Sequence, residues 1–307
     1  MNLPQTPTNT TVLALGYQSN WWDILTSSFM RHALLGGTII ALAAGLIGYF
    51  IVVRGSAFAA HALAHIGLPG ATGAVLLGLP PALGLGVFCV AGAVFIGALG
   101  TRASDRDVVT GTTLAFATGL GLFFNSLATK SSSTMTNVLF GNLLAISRDQ
   151  LIAFSILLGV LALCIGFSYR PMLYSSVNAA VAEAKGVPVR ALSLMFMVLL
   201  AVAVTMSVQV VGTLLLFALV VTPAATAIML TPRPGLAMLV SAAISVLSVV
   251  LGLVAAAMFN MPPSFLIVTA ASGIWLIVWA VRARGGLRPP IGPGRPSTRR
   301  SAPVAEP

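Results

Sequence analysis

Charged residues are scarce in this sequence, at 7% of its 307 residues, against roughly 25% in an ordinary soluble protein. A chain so poor in charge cannot cover its surface in water, so a soluble globular protein is excluded. Hydrophobic residues make up 58% of the chain, and they fall in runs of about 20 residues, the length that crosses the hydrocarbon core of a bilayer. The sequence therefore predicts an all-α, polytopic helical bundle embedded in a membrane.

Acidic residues are rarer still, and all of them lie in loops or at the ends of apolar runs. The full set is Asp23, Asp105, Asp107, Asp149, Glu183 and Glu306. Transporters driven by protons or sodium ions usually couple ion to substrate through intramembrane Asp or Glu. Because the apolar runs lack such residues, we expect the driving energy to come from another polypeptide.

The sequence also lacks the signatures of common enzymes. Neither lysine, Lys130 or Lys185, stands in the phosphate-binding G-x-x-x-x-G-K-S/T loop of an ATPase. The absence of HExxH and GxSxG argues against an intramembrane hydrolase. Cys89 and Cys164 occur singly within apolar runs, so we interpret them as buried hydrophobic residues.

Nine apolar segments are long enough to span a membrane, and the sixth and seventh could act as one bent unit. We therefore expect about eight to nine transmembrane helices. The segments are 29–53, 56–78, 81–101, 108–129, 150–169, 190–208, 210–230, 236–258 and 263–283. A shorter apolar segment, 137–146, is too brief to cross and is predicted to be re-entrant.

Basic residues predict the orientation. If the first span exits into the cytoplasm at Arg54, the cytoplasmic side holds all of the 16 Lys and Arg residues except Arg31, Lys130 and Arg148. Residues 1–28 are then an extracytoplasmic tail, 29–284 the transmembrane domain, and 285–307 a disordered, basic cytoplasmic tail. No basic patch carries interleaved aromatic residues, so the net charge of +10 does not indicate a nucleic-acid partner.

Two of the 3 histidines, His61 and His65, stand four residues apart in the second apolar segment. On a helix this spacing places Cβ atoms about 5–6 Å apart, so both imidazoles can reach one metal ion. Pro69 and Gly70 follow and predict that the helix breaks or kinks there; broken helices are found at the substrate sites of transporters. The alternative is two neutral histidines, each hydrogen-bonded to a neighbouring helix. His32 is expected to be interfacial.

The longest predicted cytoplasmic loop, 177–188, reads VNAAVAEAKGVP. Its alanines predict a short helix, and Gly186 and Pro188 are typical of a helix carboxyl end. No other predicted cytoplasmic loop could present a helix to a partner protein. Simple solvation of a surface helix is the alternative interpretation.

In these motifs, and in their order, the chain resembles the permease subunits of ABC importers for zinc and manganese. The resemblance covers nearly all of residues 29–283. The matching stretches are IVVRG at 51–55, HALAH at 61–65, LPG at 68–70, LFGNLLA at 139–145, EAKGV at 183–187, VGT at 211–213, TPAATA at 222–227 and residues 266–272.

The resemblance implies a permease of the bacterial plasma membrane that works as a homodimer or pair. Such a permease docks on two cytoplasmic ABC ATPases and receives metal from an extracytoplasmic binding protein. The divalent metal is cargo, and no permanently bound cofactor is expected. The resemblance further implies that His61 and His65 contact the metal, and that the coupling helix contains Glu183, Ala184, Lys185 and Gly186.

One residue departs from the family pattern. The family commonly has Asp where this chain has His61. Imidazole suits zinc, whereas manganese favours oxygen ligands, so the sequence favours zinc. Two other function classes stay open at this stage: a secondary metal or small-solute transporter that needs no ATPase, and a membrane scaffold that transports nothing.

Overall fold

The computed structural model describes residues 21–100, 103–127, 131–213 and 215–284. Their regular structure is helical, which confirms the predicted all-α bundle. The helices are α1 (Trp21–Thr26), α2 (Ser28–Val53), α3 (Ala57–Leu76), α4 (Pro81–Leu99), α5 (Ala103–Leu127), α6 (Ser131–Phe140), α7 (Arg148–Val177), α8 (Ala179–Ala184), α9 (Val189–Val211), α10 (Leu216–Val220), α11 (Thr222–Leu230), α12 (Pro234–Phe259) and α13 (Pro263–Arg284).

Some of the predictions concern residues that lie outside the described ranges. The predicted cytoplasmic tail at 285–307 lies outside the described residues, and so do residues 1–20 of the predicted extracytoplasmic tail. Arg102 and Lys130, which the orientation argument counted, also lie outside them.

Among the described residues, 7 helices are long and apolar enough to cross a membrane: α2, α4, α5, α7, α9, α12 and α13. Helix α3, which carries the two histidines, falls outside that group. The predicted seventh span is interrupted, because α9 continues to Val211 and Gly212 then turns the chain with a φ of +85°. The short helices α10 and α11 follow that turn.

The centre of the bundle contains α2, α3 and α9. In their most apolar stretches, α2 and α9 are each 67% buried, against 17% for α7 and 11% for α13. The outer helices expose large apolar side chains such as Phe116 and Phe167, which are 73% and 93% accessible. A surface of this kind is expected of helices that face lipid or another membrane protein.

Glycines allow the central helices to approach backbone to backbone. A methyl group added at Gly70 on α3 would overlap the carbonyl oxygen of Gly84 on α4, and one at Gly84 would overlap the carbonyl oxygen of Gly70. Gly45 on α2 lies equally close to the backbone of Ala242 on α12. Small residues allow this close approach in a membrane, where the hydrophobic effect does not drive helices together.

The helix break predicted at Pro69 and Gly70 is wrong, because α3 is continuous from Ala57 to Leu76 with Pro69 inside it. Neighbouring helices stabilise the segment: Gly70 packs on α4, and Gly121 of α5 lies against Leu68 and Pro69. The Thr72 hydroxyl also donates to the Leu68 carbonyl at 3.0 Å. Prolines are tolerated in transmembrane helices when such contacts compensate. Because Pro69 has no N–H, the His65 carbonyl still lacks its usual i+4 hydrogen bond.

Segment 137–146 is too short to cross the membrane, as predicted. It contacts the carboxyl end of α9. The Asn142 N–H donates to the Gln209 carbonyl at 3.3 Å, and the Thr213 N–H donates to the Val138 carbonyl at 3.0 Å. Between these bonds lie Gly141 and Gly212, with φ values of +74° and +85°. A methyl group on either glycine would overlap backbone atoms on the other segment. We call this contact the glycine lock.

Replacing Gly70 with alanine tests the contact between α3 and α4. We expect Gly70→Ala to lower the free energy of unfolding by about 1–3 kcal/mol, the usual cost of overpacking. Gly119→Ala is the matched control, because Gly119 lies on α5 with nothing within 4 Å of the added methyl. Denaturant unfolding in detergent micelles measures both variants, and equal stability of the two would contradict the packing described.

Candidate functional site

His61 and His65 lie on the same face of α3, as their spacing predicted. Their ring centroids are 4.9 Å apart with an interplanar angle of 72°. At about 1.5 Å per residue, they lie roughly 6 and 12 Å along the helix from Ala57. Both rings are half-buried, whereas the intervening Ala62, Leu63 and Ala64 are fully buried. The pair therefore points away from the tightly packed side of α3.

His61 carries an unsatisfied polar atom. Its Nδ1 is buried and has no hydrogen-bond partner, a condition that costs about 1–3 kcal/mol for an ordinary polar group. The alternative in which each histidine is hydrogen-bonded to a neighbouring helix therefore does not hold for this nitrogen. A lone pair on a buried imidazole nitrogen beside a second imidazole is a suitable ligand for a divalent metal ion.

The ligand set around the pair is incomplete. Within the residues that the structure describes, no group of three or more His, Cys, Asp and Glu side chains could hold a metal ion. Two nitrogens with water or carbonyl oxygens form a weak site, which suits an ion in transit better than a structural metal.

The predicted helix in loop 177–188 is present as α8. Its first turn is capped by the Asn178 side chain, which accepts the Val181 N–H at 3.1 Å. Its last turn ends at Gly186, whose φ is +81°, and the Gly186 N–H donates to the Glu183 carbonyl at 2.9 Å. Glycine is preferred in this left-handed position at a helix end. Glu183, Ala184, Lys185 and Gly186 are all exposed, and Ala182 alone in α8 is buried.

Lys185 attaches α8 to the end of α7. Its ammonium lies 5.3 Å from the ring centroid of Tyr174, within the range of a cation–π interaction. A hydrogen bond with Tyr174 raises the pKa of Lys185, so the side chain remains protonated at neutral pH. The Asn178 N–H also donates to the Tyr174 carbonyl at 3.3 Å.

A cleft of about 460 Å³ separates α8 from the ends of α4, α5 and α9, and Arg106, Glu183 and Arg190 line it. These residues were predicted to share the cytoplasmic side, and the structure does bring them to one end of the bundle. Arg148 begins α7 at the opposite end. Near that end a second cavity, of about 330 Å³, is lined by the amide side chains of Asn137, Asn142, Gln150 and Gln209. Sequence reasoning missed this cavity.

Sequence reasoning also missed the contacts of Arg54, which it used as a topological charge and as part of the IVVRG stretch. The guanidinium donates to the hydroxyl oxygens of Ser175 and Ser176 at 2.6 and 2.9 Å and lies 4.9 Å from the ring centroid of Phe196. Burial, and secondarily the charge of Arg106, lowers the pKa of Arg54 to about 10. The side chain is still charged at neutral pH, so a half-buried cation joins α2, α7 and α9.

Three comparisons relate the chain to known proteins. Residues 26–282 match the family described as ABC 3 transport family. The chain is 30% identical over 266 residues to the manganese transport system membrane protein MntC of Listeria monocytogenes, covering 86% of this chain and 94% of that protein. It is 32% identical over 251 residues to the manganese import system permease protein ScaB of Streptococcus parasanguinis, covering 81% and 89%.

The fold also matches a solved structure, that of PsaBC from Streptococcus pneumoniae in complex with Fab. The TM-score is 0.76 at 30% identity, over 85% of this chain and 94% of that one.

Zinc titration of the purified protein tests the histidine pair. We expect His61→Ala and His65→Ala each to weaken zinc affinity by more than the roughly 10–100-fold typical of losing an outer-shell partner, because each removes a direct ligand. His32→Ala is the matched control and should bind zinc as the wild type does. Equilibrium dialysis against buffered zinc gives the affinities. Wild-type affinity in His65→Ala would contradict the site.

Proposed function

The chain belongs to the ABC 3 transport family, and from that membership we propose that it is the permease subunit of an ATP-driven importer of a divalent transition metal ion. Its relatives are membrane subunits of transport systems, which confirms the expectation of a transporter subunit rather than an enzyme. Membership of an ABC family does not favour the alternative of a transporter that needs no ATPase. The proposed location is the bacterial plasma membrane.

The observation that carries the proposal is the imidazole pair on α3. Two rings 4.9 Å apart, one with a buried and unpartnered nitrogen, can together hold a metal ion. Such a site binds the ion well enough to admit it and weakly enough to release it. Water or a second copy of the permease would complete the coordination.

The proposed cargo is zinc or manganese, and His61 is the residue expected to select between them. Relatives at 30% and 32% identity are named for manganese. Imidazole nitrogens suit zinc, whereas manganese prefers carboxylate, carbonyl and water oxygens. Since an imidazole ligand carries no negative charge to offset that of a dication, as a carboxylate would, the presence of His61 favours zinc.

The proposed mechanism is alternating access driven from outside the chain. An extracytoplasmic binding protein delivers the ion, and His61 and His65 hold it in the first half of α3. The exposed residues Glu183–Gly186 of α8 and its end fit in the groove of a cytoplasmic ABC ATPase. Closure of two ATPases on ATP then moves α8 and opens the inner side. We propose a homodimer, because the exposed apolar faces of α5, α7 and α13 can contact a second copy as well as lipid.

Metal uptake in cells that lack their own importer tests this function. With its ATPase and binding protein co-expressed, the wild-type chain should support uptake of radioactive zinc or manganese. His65→Ala should abolish it at an unchanged membrane level of the protein, because one of two ligands is lost, while His32→Ala should retain it. Uptake that persists with a hydrolysis-deficient ATPase would refute the ATP-driven mechanism.

The identity of residue 61 should change the metal preference. We expect His61→Asp to raise manganese uptake relative to zinc by about tenfold, which corresponds to roughly 1.4 kcal/mol, because a carboxylate supplies a negatively charged oxygen ligand. His32→Asp adds the same charge away from the pair and should leave the ratio unchanged. Competition between the two metals in the uptake assay gives the ratio. An unaltered ratio in His61→Asp would exclude this residue as the selecting ligand.

A further inference from the structure

We propose that Arg54 is the positioning residue that transmits the movement of α8 to α3, the helix that carries the histidine pair. This inference rests on the function proposed above. It names the connection between the site of ATPase contact and the site of metal contact. The argument follows a chain of hydrogen bonds and helix ends that begins at α8.

Helix α8 is fastened to the last turn of α7. Tyr174 accepts the Asn178 N–H at its carbonyl, 3.3 Å away, and its ring lies 5.3 Å from the ammonium of Lys185. One contact joins the start of α8 to α7, and the other joins its end. A displacement of α8 is therefore carried into the turn of α7 that contains Ser175 and Ser176.

The two serines transmit this displacement to Arg54 through hydrogen bonds. Their hydroxyls donate to the Met172 carbonyl at 3.0 and 2.6 Å, so the oxygen lone pairs are free to accept from the guanidinium at 2.6 and 2.9 Å. Both acceptors are neutral. The Phe196 ring, 4.9 Å from the guanidinium, also stabilises the positive charge through a cation–π interaction. The fork of the guanidinium fixes the relative position of α7 and α2 in a way that a single ammonium cannot.

Arg54 is also part of the turn that leads into α3. It is the C-cap residue that follows Val53, the last residue of α2. Gly55 comes next, with a φ of +63°. The Gly55 N–H donates to Val52 at 3.2 Å and the Ser56 N–H donates to Ile51 at 2.8 Å, the two bonds of a Schellman ending. Helix α3 begins at Ala57. A shift of Arg54 therefore changes the start of the helix that holds His61.

The ratio of metal ions imported to ATP hydrolysed tests this role. The assay uses the full complex, with its ATPase and binding protein, in proteoliposomes. We expect Arg54→Lys to hydrolyse ATP at close to the wild-type rate while the number of ions imported per ATP falls at least about fivefold, the lower end of typical coupling effects. A purely structural role would lower both rates in parallel and leave the ratio unchanged.

Two further variants complete the design. Arg170→Lys is the matched control, because Arg170 is exposed on the same helix α7, and its ratio should equal that of the wild type. The double variant Ser175→Ala, Ser176→Ala removes the acceptors and leaves Arg54 in place, so it decides the question if Arg54→Lys does not fold; its ratio should also fall. An unchanged ratio in Arg54→Lys and in the double serine variant, with metal import by the wild type, would overturn the inference. Absence of import by the wild type would overturn the proposed function and this inference with it.

Discussion

The structure depends on direct contact between helix backbones at glycine. In a membrane the hydrophobic effect does not hold helices together, so their association depends on close packing and on hydrogen bonds between them. At Gly70 and Gly84 the backbones of α3 and α4 touch, and Gly121 brings α5 against Pro69 on another side of α3. These contacts hold the histidine helix continuous through a proline and expose the face that carries His61 and His65.

The two ends of the bundle are built differently. At one end the glycine lock joins segment 137–146 to the end of α9 by backbone hydrogen bonds. At the other end the helices α2, α7 and α9 meet at the guanidinium of Arg54, through side-chain hydroxyls and an aromatic ring. Side-chain contacts can rearrange without breaking a helix, so movement is expected at the Arg54 end, where α8 also lies.

Patterns within a few residues of sequence predicted the features that depend on local backbone geometry. The spacing of His61 and His65 fixed their shared face, and Gly186 predicted the end of α8. Tertiary contacts decided the remainder. Continuity through Pro69 required neighbours from α4 and α5 that no local pattern reveals. Arg54 finds its serine partners 121 and 122 residues further along the chain, a pairing for which the single sequence offers no signal except an arginine beside an apolar run.

The backbone of Gly55 has a geometric consequence for metal release. The residue has a φ of +63° and nothing within 4 Å of the position of a side chain, so no neighbouring group is packed against the turn at that position. His65 is ten residues further on, about 15 Å along the helix axis at 1.5 Å per residue. A tilt of α3 by about 10° at this residue would displace the imidazole by roughly 2.6 Å, more than the length of a metal–nitrogen bond of about 2.0–2.1 Å. A small change in two torsion angles would thus move the imidazole relative to the neighbouring helices by more than one metal–nitrogen bond length.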